Sequence, residues 1–96
     1  MATILFEIWE TDDSMECVPV SAQADAMREP DARFVKAFYA STPNEAGQVY
    51  YDHYDWGTYK PVEGVTDIPF SEEERAFQSE YLTRRVLPDA HAARLK

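Results

Sequence analysis

A single cysteine, Cys17, rules out an internal disulfide and any paired-cysteine zinc pattern. Nothing basic lies near it in sequence to stabilise a thiolate, so it reads as a small buried apolar residue in a strand. The three glycines, Gly47, Gly57 and Gly64, are isolated from one another, which excludes a glycine-rich phosphate loop. No apolar run approaches the roughly 20 residues needed to span a bilayer, and no charged segment followed by an apolar stretch heads the chain. The expectation is a cytoplasmic protein without a membrane partner.

Bases are the other scarcity. Residues 1–74 hold 16 of the 18 acidic side chains against Arg28, Arg33, Lys36 and Lys60, a net of −12. Residues 75–96 hold Glu80 and Asp89 against Arg75, Arg84, Arg85, Arg94 and Lys96, a net of +3. Phosphate binding needs a basic footprint, so direct contact with nucleic acid is disfavoured. A strongly acidic surface attracts a basic partner, including the nucleic-acid groove of another protein; the plainer alternative is that the charge only keeps the chain soluble.

What is present suits a folded domain: 45% apolar and 14% aromatic residues in 96 positions. Residues 1–88 are expected to form one α+β domain, with 89–96 a frayed tail. "TILFEIWE" (3–10) and "MECVPV" (15–20) read as strands joined at "TDDS", whose Asp and Ser side chains can bond their own backbone. Pro19 cannot donate to a ladder and assigns the second strand to an edge. Ser21 caps a short helix over 22–28, and "RFVKAFYA" (33–40) is a third strand. Thr42, Pro43 and Glu45 open a helix predicted to run to about residue 56, with Gly57 in the left-handed position after it. Ser71 and Glu74 open a C-terminal helix with acids at its start and arginines at its end, and a Glu80–Arg84 pair on its surface. The order ββαβα plus a C-terminal helix predicts a small three-stranded, mainly antiparallel sheet with packed helices, the first strand central.

The densest chemistry lies in "QVYYDHYDWGTYKP", residues 48–61. Wound at 100° per residue, Ala46, Val49, Tyr50, His53, Tyr54, Trp56 and Gly57 fall on one arc, and Gln48, Tyr51, Asp52 and Asp55 on the opposite one. His53 is thereby predicted on the inward face, away from both aspartates, as a semi-buried structural histidine; a general base or ligand is the alternative. The only acidic pair at helical ligand spacing is Asp52 and Asp55, with no histidine or cysteine on the same face; no nucleophile elbow appears, and neither metal nor cofactor is expected. Tyr51 stands among carboxylates, a composition suited to engaging arginine and lysine.

For the sheet, one face is expected to carry Ile4, Phe6 and Ile8 with Val35, Ala37 and Tyr39. The other would carry Leu5, Glu7 and Trp9 with Phe34, Lys36 and Phe38, with Glu7 and Lys36 paired across the ladder. That second face is expected to be covered by the C-terminal helix through Phe77 and Tyr81, or else left open as a dimer surface around Trp9 and Phe38. The functional expectation is a small acidic, non-enzymatic interaction protein: an inhibitor or neutralising partner of the antitoxin, immunity or phage anti-defence kind. It would occupy a basic, nucleic-acid-binding surface of a target, possibly a nucleic-acid-acting enzyme. The residues placed at that contact are Tyr51, Asp52, Asp55 and Tyr59, then Glu10, Asp12 and Asp13 in the hairpin turn, then Glu72, Glu73 and Glu74. A homo-oligomeric assembly protein using the Trp9/Phe38 face and a small enzyme using His53 are the alternatives.

Overall fold

A computed structural model describes residues 2–87; the tail expected over 89–96 lies outside them. The elements are β1 (Ile4–Glu10), β2 (Met15–Pro19), α1 (Ala22–Met27), β3 (Arg33–Ala40), α2 (Pro43–Tyr54) and α3 (Glu72–Arg84). The sheet is antiparallel with order β2-β1-β3, so the strand apolar on both sides is central and the proline-bearing strand lies at an edge.

Side-chain chemistry at the ends explains where the helices begin. Ser21 accepts from the Ala24 amide, and Thr42 accepts from the Glu45 amide with Pro43 just inside. Ser71 and Glu74 form a reciprocal capping box. The Glu80–Arg84 pair does not form: Arg84 turns instead over the Tyr81 ring, 5.5 Å from its centre. In the 11–14 turn the bonding hydroxyl belongs to Thr11, which accepts from the Asp13 and Ser14 amides. Asp12 is thereby free to take Arg33 at 3.1 Å.

The register of β1 with β3 differs from the expected one. Ile4, Phe6 and Ile8 stand opposite Ala40, Phe38 and Lys36, and Glu7 stands opposite Ala37. A bulge between Ile8 and Trp9 then brings Trp9 opposite Phe34. A one-residue change of register exchanges the faces of every side chain on a strand. Phe38 therefore stacks on Phe6 beneath α2, whereas Trp9 meets Phe34 edge-on from the other face. Trp9 and Phe38 do not share a surface, and Trp9 is only 1% exposed.

One face of the sheet holds the apolar core of Ile4, Phe6, Ala40 and Ala46, with Cys17, Phe38 and Phe70 packed against it. Burial pushes the Cys17 thiol up to about 11, so it stays protonated at neutral pH and acts as packing. The opposite face is polar at its centre. Glu7, fully buried in the central strand, accepts two hydrogen bonds from Arg85 at 2.8 and 3.0 Å and one from the Trp9 indole. Arg85 also donates to Asp25, which takes further bonds from Arg28 and from the Tyr81 hydroxyl. The Arg28 guanidinium lies over Trp9, 3.9 Å from the ring centre. Two acids and two arginines from three parts of the chain thus neutralise one another, and Glu7 pairs with arginine rather than with Lys36.

Phe77, expected to cover this face, points away and is 76% exposed. Tyr81 and Gln78 dock α3 in its place. The Gln78 amide accepts from Leu5 N–H and donates to the carbonyls of Leu5 and Val20. It pairs with β1 where β2 has ended, much as another strand residue would.

Candidate functional site

The acids and rings singled out by sequence gather mainly at one end of the sheet. β1 and β2 turn over at residues 11–14, and α2 runs back from the Ile4 end to finish beside that turn. Tyr54, on the last turn of α2, donates to Glu10 at 2.7 Å, joining helix end and hairpin. Burial and then the Glu10 carboxylate raise the Tyr54 phenol well above its ordinary value, so it remains a donor.

The helix stops at Tyr54, two residues before the expected end, because Asp55 itself takes the left-handed conformation foreseen for Gly57. The Asp55 amide donates to Asp52 and the Trp56 amide to Tyr51, the paired bonds of a Schellman cap. Trp56 is thereby folded back against the helix. Its ring stacks on Tyr54 at 5.1 Å and meets Tyr50 and Tyr51 edge-on at 5.3 and 5.4 Å, while remaining 48% exposed. Trp56 belongs to this surface although the helical wheel assigned it to the buried arc.

Gln48 ties down the following segment. Its amide donates to Asp52 and to the Gly57 carbonyl, and its oxygen accepts from the Tyr59 N–H. Tyr59 then lies against Gly47, where an added Cβ would meet its ring at about 2.5 Å, and edge-on to Tyr51 at 5.3 Å. Tyr51 is for that reason half-buried, packed between Trp56 and Tyr59, rather than standing free. Asp52 and Asp55 are exposed.

His53, expected on the inward face, is exposed, with its ring against Tyr54 at 4.7 Å. The inward positions are Ala46, Tyr50 and Tyr54, so the buried arc is turned away from His53 and toward Gly47. Among the described residues no group of three or more histidine, cysteine, aspartate or glutamate side chains could hold a metal ion.

The hairpin acids are unequal. Arg33 bonds Asp12 and lies 3.9 Å from Glu10, whereas Asp13 is exposed. Glu72, Glu73 and Glu74 lie elsewhere. Arg75, on the same turn of α3, donates to Thr3 just before β1, at the end of that strand opposite Glu10. β1 alone puts roughly 20 Å between the two acidic groups. Glu74 is further occupied in accepting from the Ser71 N–H.

Among the described residues no helix is long and apolar enough to cross a membrane. Compared with known proteins, the chain matches no protein-family model, no curated protein and no solved structure.

Proposed function

We propose that the protein is a non-enzymatic, cytoplasmic acidic partner that occupies a basic, nucleic-acid-binding surface of a target protein. Antitoxins, immunity proteins and phage-encoded inhibitors act in this manner by presenting negative charge to a site built for polyphosphate. The observation that supports the reading is the Tyr54–Glu10 hydrogen bond, which joins the end of α2, with Asp52, Asp55 and Trp56 exposed there, to the strand that leads into the hairpin turn of exposed Asp13. Exposed aromatic rings and carboxylates on neighbouring elements suit arginine and lysine, because a ring attracts the cation to its face and carboxylates accept from its N–H groups.

The test is capture of a target from a cytoplasmic extract by the tagged protein, at low and then moderate salt. The expected result is one basic nucleic-acid-acting protein in stoichiometric amount, released by added DNA or RNA and by rising salt. Asp13→Lys with Asp52→Lys reverses two exposed charges and should abolish capture without lowering the melting temperature. Capture by that double variant at the level of the parent would eliminate the proposed surface. Tyr51→Ala is a poorer probe, since it also removes packing against Trp56 and Tyr59.

A further inference from the structure

We infer that the groove between α3 and β2 seats an apolar side chain of a basic peptide segment, a second contact that rests on the reading of the partner as basic. The groove has a volume of about 430 Å³, within the range of sites that take small ligands and side chains. Ile4, Val20, Phe70 and Tyr81 line it, Phe77 stands on its wall, and Glu73 and Arg84 lie at its rim.

Phe77 is the first reason. α3 is docked by Gln78 and Tyr81, its only buried residues, and needs no other apolar contact with the body. Phe77 is nevertheless an aromatic ring 76% exposed, beside an apolar groove. Burying that ring is favourable and is left undone by the described residues, which leaves the ring to a binding partner.

The edge strand supplies the second. β2 ends at Pro19, which has no N–H, and the amide of Val20 and the carbonyls of Leu5 and Val20 are already bonded within the fold. A partner strand cannot continue the sheet through this point. The groove must therefore be entered by a side chain, not by an added strand.

Charge decides the chemistry of the flanking residues. Glu72 and Glu73 form no ion pair among the described residues, and Glu73 reaches the rim. A lysine or arginine next to the apolar anchor meets Glu73, while Arg84 repels it from the other side and so fixes which way the segment lies. The acids at 72–74 thus serve a contact separate from the hairpin end.

The experiment is amide chemical-shift mapping of the full-length, isotope-labelled protein with acetylated, amidated tripeptides: Lys-Lys-Phe, Glu-Glu-Phe and Lys-Lys-Ser. Lys-Lys-Phe should shift amides around Ile4, Val20 and Phe77, at least tenfold more tightly than either control. Phe77→Ser, at an exposed position, and Glu73→Lys should each weaken it at least tenfold, with dispersed spectra retained. Equal affinity for Glu-Glu-Phe would mark a neutral apolar site and overturn the proposal. So would shifts at any other surface, unchanged binding by Phe77→Ser, or concentration-dependent line broadening centred on Phe77, which identifies a second copy as the occupant. Asp13→Lys with Asp52→Lys should leave the tripeptide contact intact. Failure of the groove is thus read from peptides alone, and failure of the hairpin-end reading from target capture alone.

Discussion

Asp55 holds φ 55° and ψ 45° as the left-handed residue after α2, a conformation whose cost to a residue with a Cβ is about 1–2 kcal/mol, softened for aspartate by its short polar side chain. It also places a negative charge at the helix C-terminus, where the dipole disfavours it. Gly57, which follows two positions later, also has positive φ but does not end the helix. Asp55→Gly should therefore raise stability by about 1 kcal/mol, equivalent to a melting temperature about 4–8 °C higher in a domain of this size. Thermal unfolding followed by circular dichroism checks it, and an unchanged or lower midpoint would show that the carboxylate is needed for the turn. Since the same substitution removes one of the exposed charges, it should also weaken target capture while the fold gains. A gain in stability with loss of binding is the pattern expected of a residue kept for its charge.

At the scale of elements, one side-chain amide joins α3 to the backbone of β1 and of Val20. Gln78 satisfies Leu5 N–H and Val20 C=O and adds a second bond to Leu5 C=O, which also accepts from Val20 N–H, so Gln78→Leu would leave the first two groups without their partner. Each buried polar group left without a partner costs about 1–3 kcal/mol, so a loss of at least about 2 kcal/mol is expected in urea unfolding. Gln78→Glu should fall between, because its carboxylate still accepts from Leu5 N–H but cannot donate to the two carbonyls. A neutral effect of the leucine variant would mean that Tyr81, Arg75 and Arg85 suffice to hold α3. The elements themselves were legible in the sequence because their signals are local: the short apolar and aromatic runs of β1 and β3, and the Ser21, Thr42 and Ser71 caps. The pairing of β1 with β3 was not, because it turns on a bulge between Ile8 and Trp9 that no neighbouring residue announces. The inward face of α2 was misread for a related reason. The wheel carried the helix through residue 57, while the chain leaves it at Asp55 and returns Tyr59 over Gly47. One signal was available and misassigned: an acid at Glu7, in the middle of the strand placed at the centre of the sheet, demanded a buried cation. Its partner lies 78 residues away at Arg85, beyond any local pattern.

Taken whole, the molecule separates its charge into a neutralised interior and an acidic exterior. Glu7, Asp25, Arg28 and Arg85 cancel within the sheet–helix interface, so the net charge of −9 falls on the remaining residues. The interior set governs the response to acid. Burial acts to raise the Asp25 carboxyl, but hydrogen bonds from Arg85, Tyr81 and Arg28 outweigh it and hold the group below its ordinary value. Its pKa in the unfolded chain is about 3.9, so the stability it contributes is present above about pH 4 and is lost as pH falls toward the lower folded value. Between pH 7 and 5 the contribution of Asp25 should not change. Asp25→Asn removes the charge and leaves Arg28 and Arg85 facing Glu7 alone, at a cost of about 3–5 kcal/mol near neutrality. That deficit relative to the parent should hold from pH 7 to about 5 and narrow steadily below 4, where the Asp25 carboxyl of the unfolded chain takes up a proton before that of the folded parent does. Melting temperatures of both proteins from pH 2 to 7 supply the test. A gap of constant size down to pH 2 would mean that the ionisation of Asp25 is not what links α1 and the end of α3 to β1, and that its hydrogen-bond geometry alone does so.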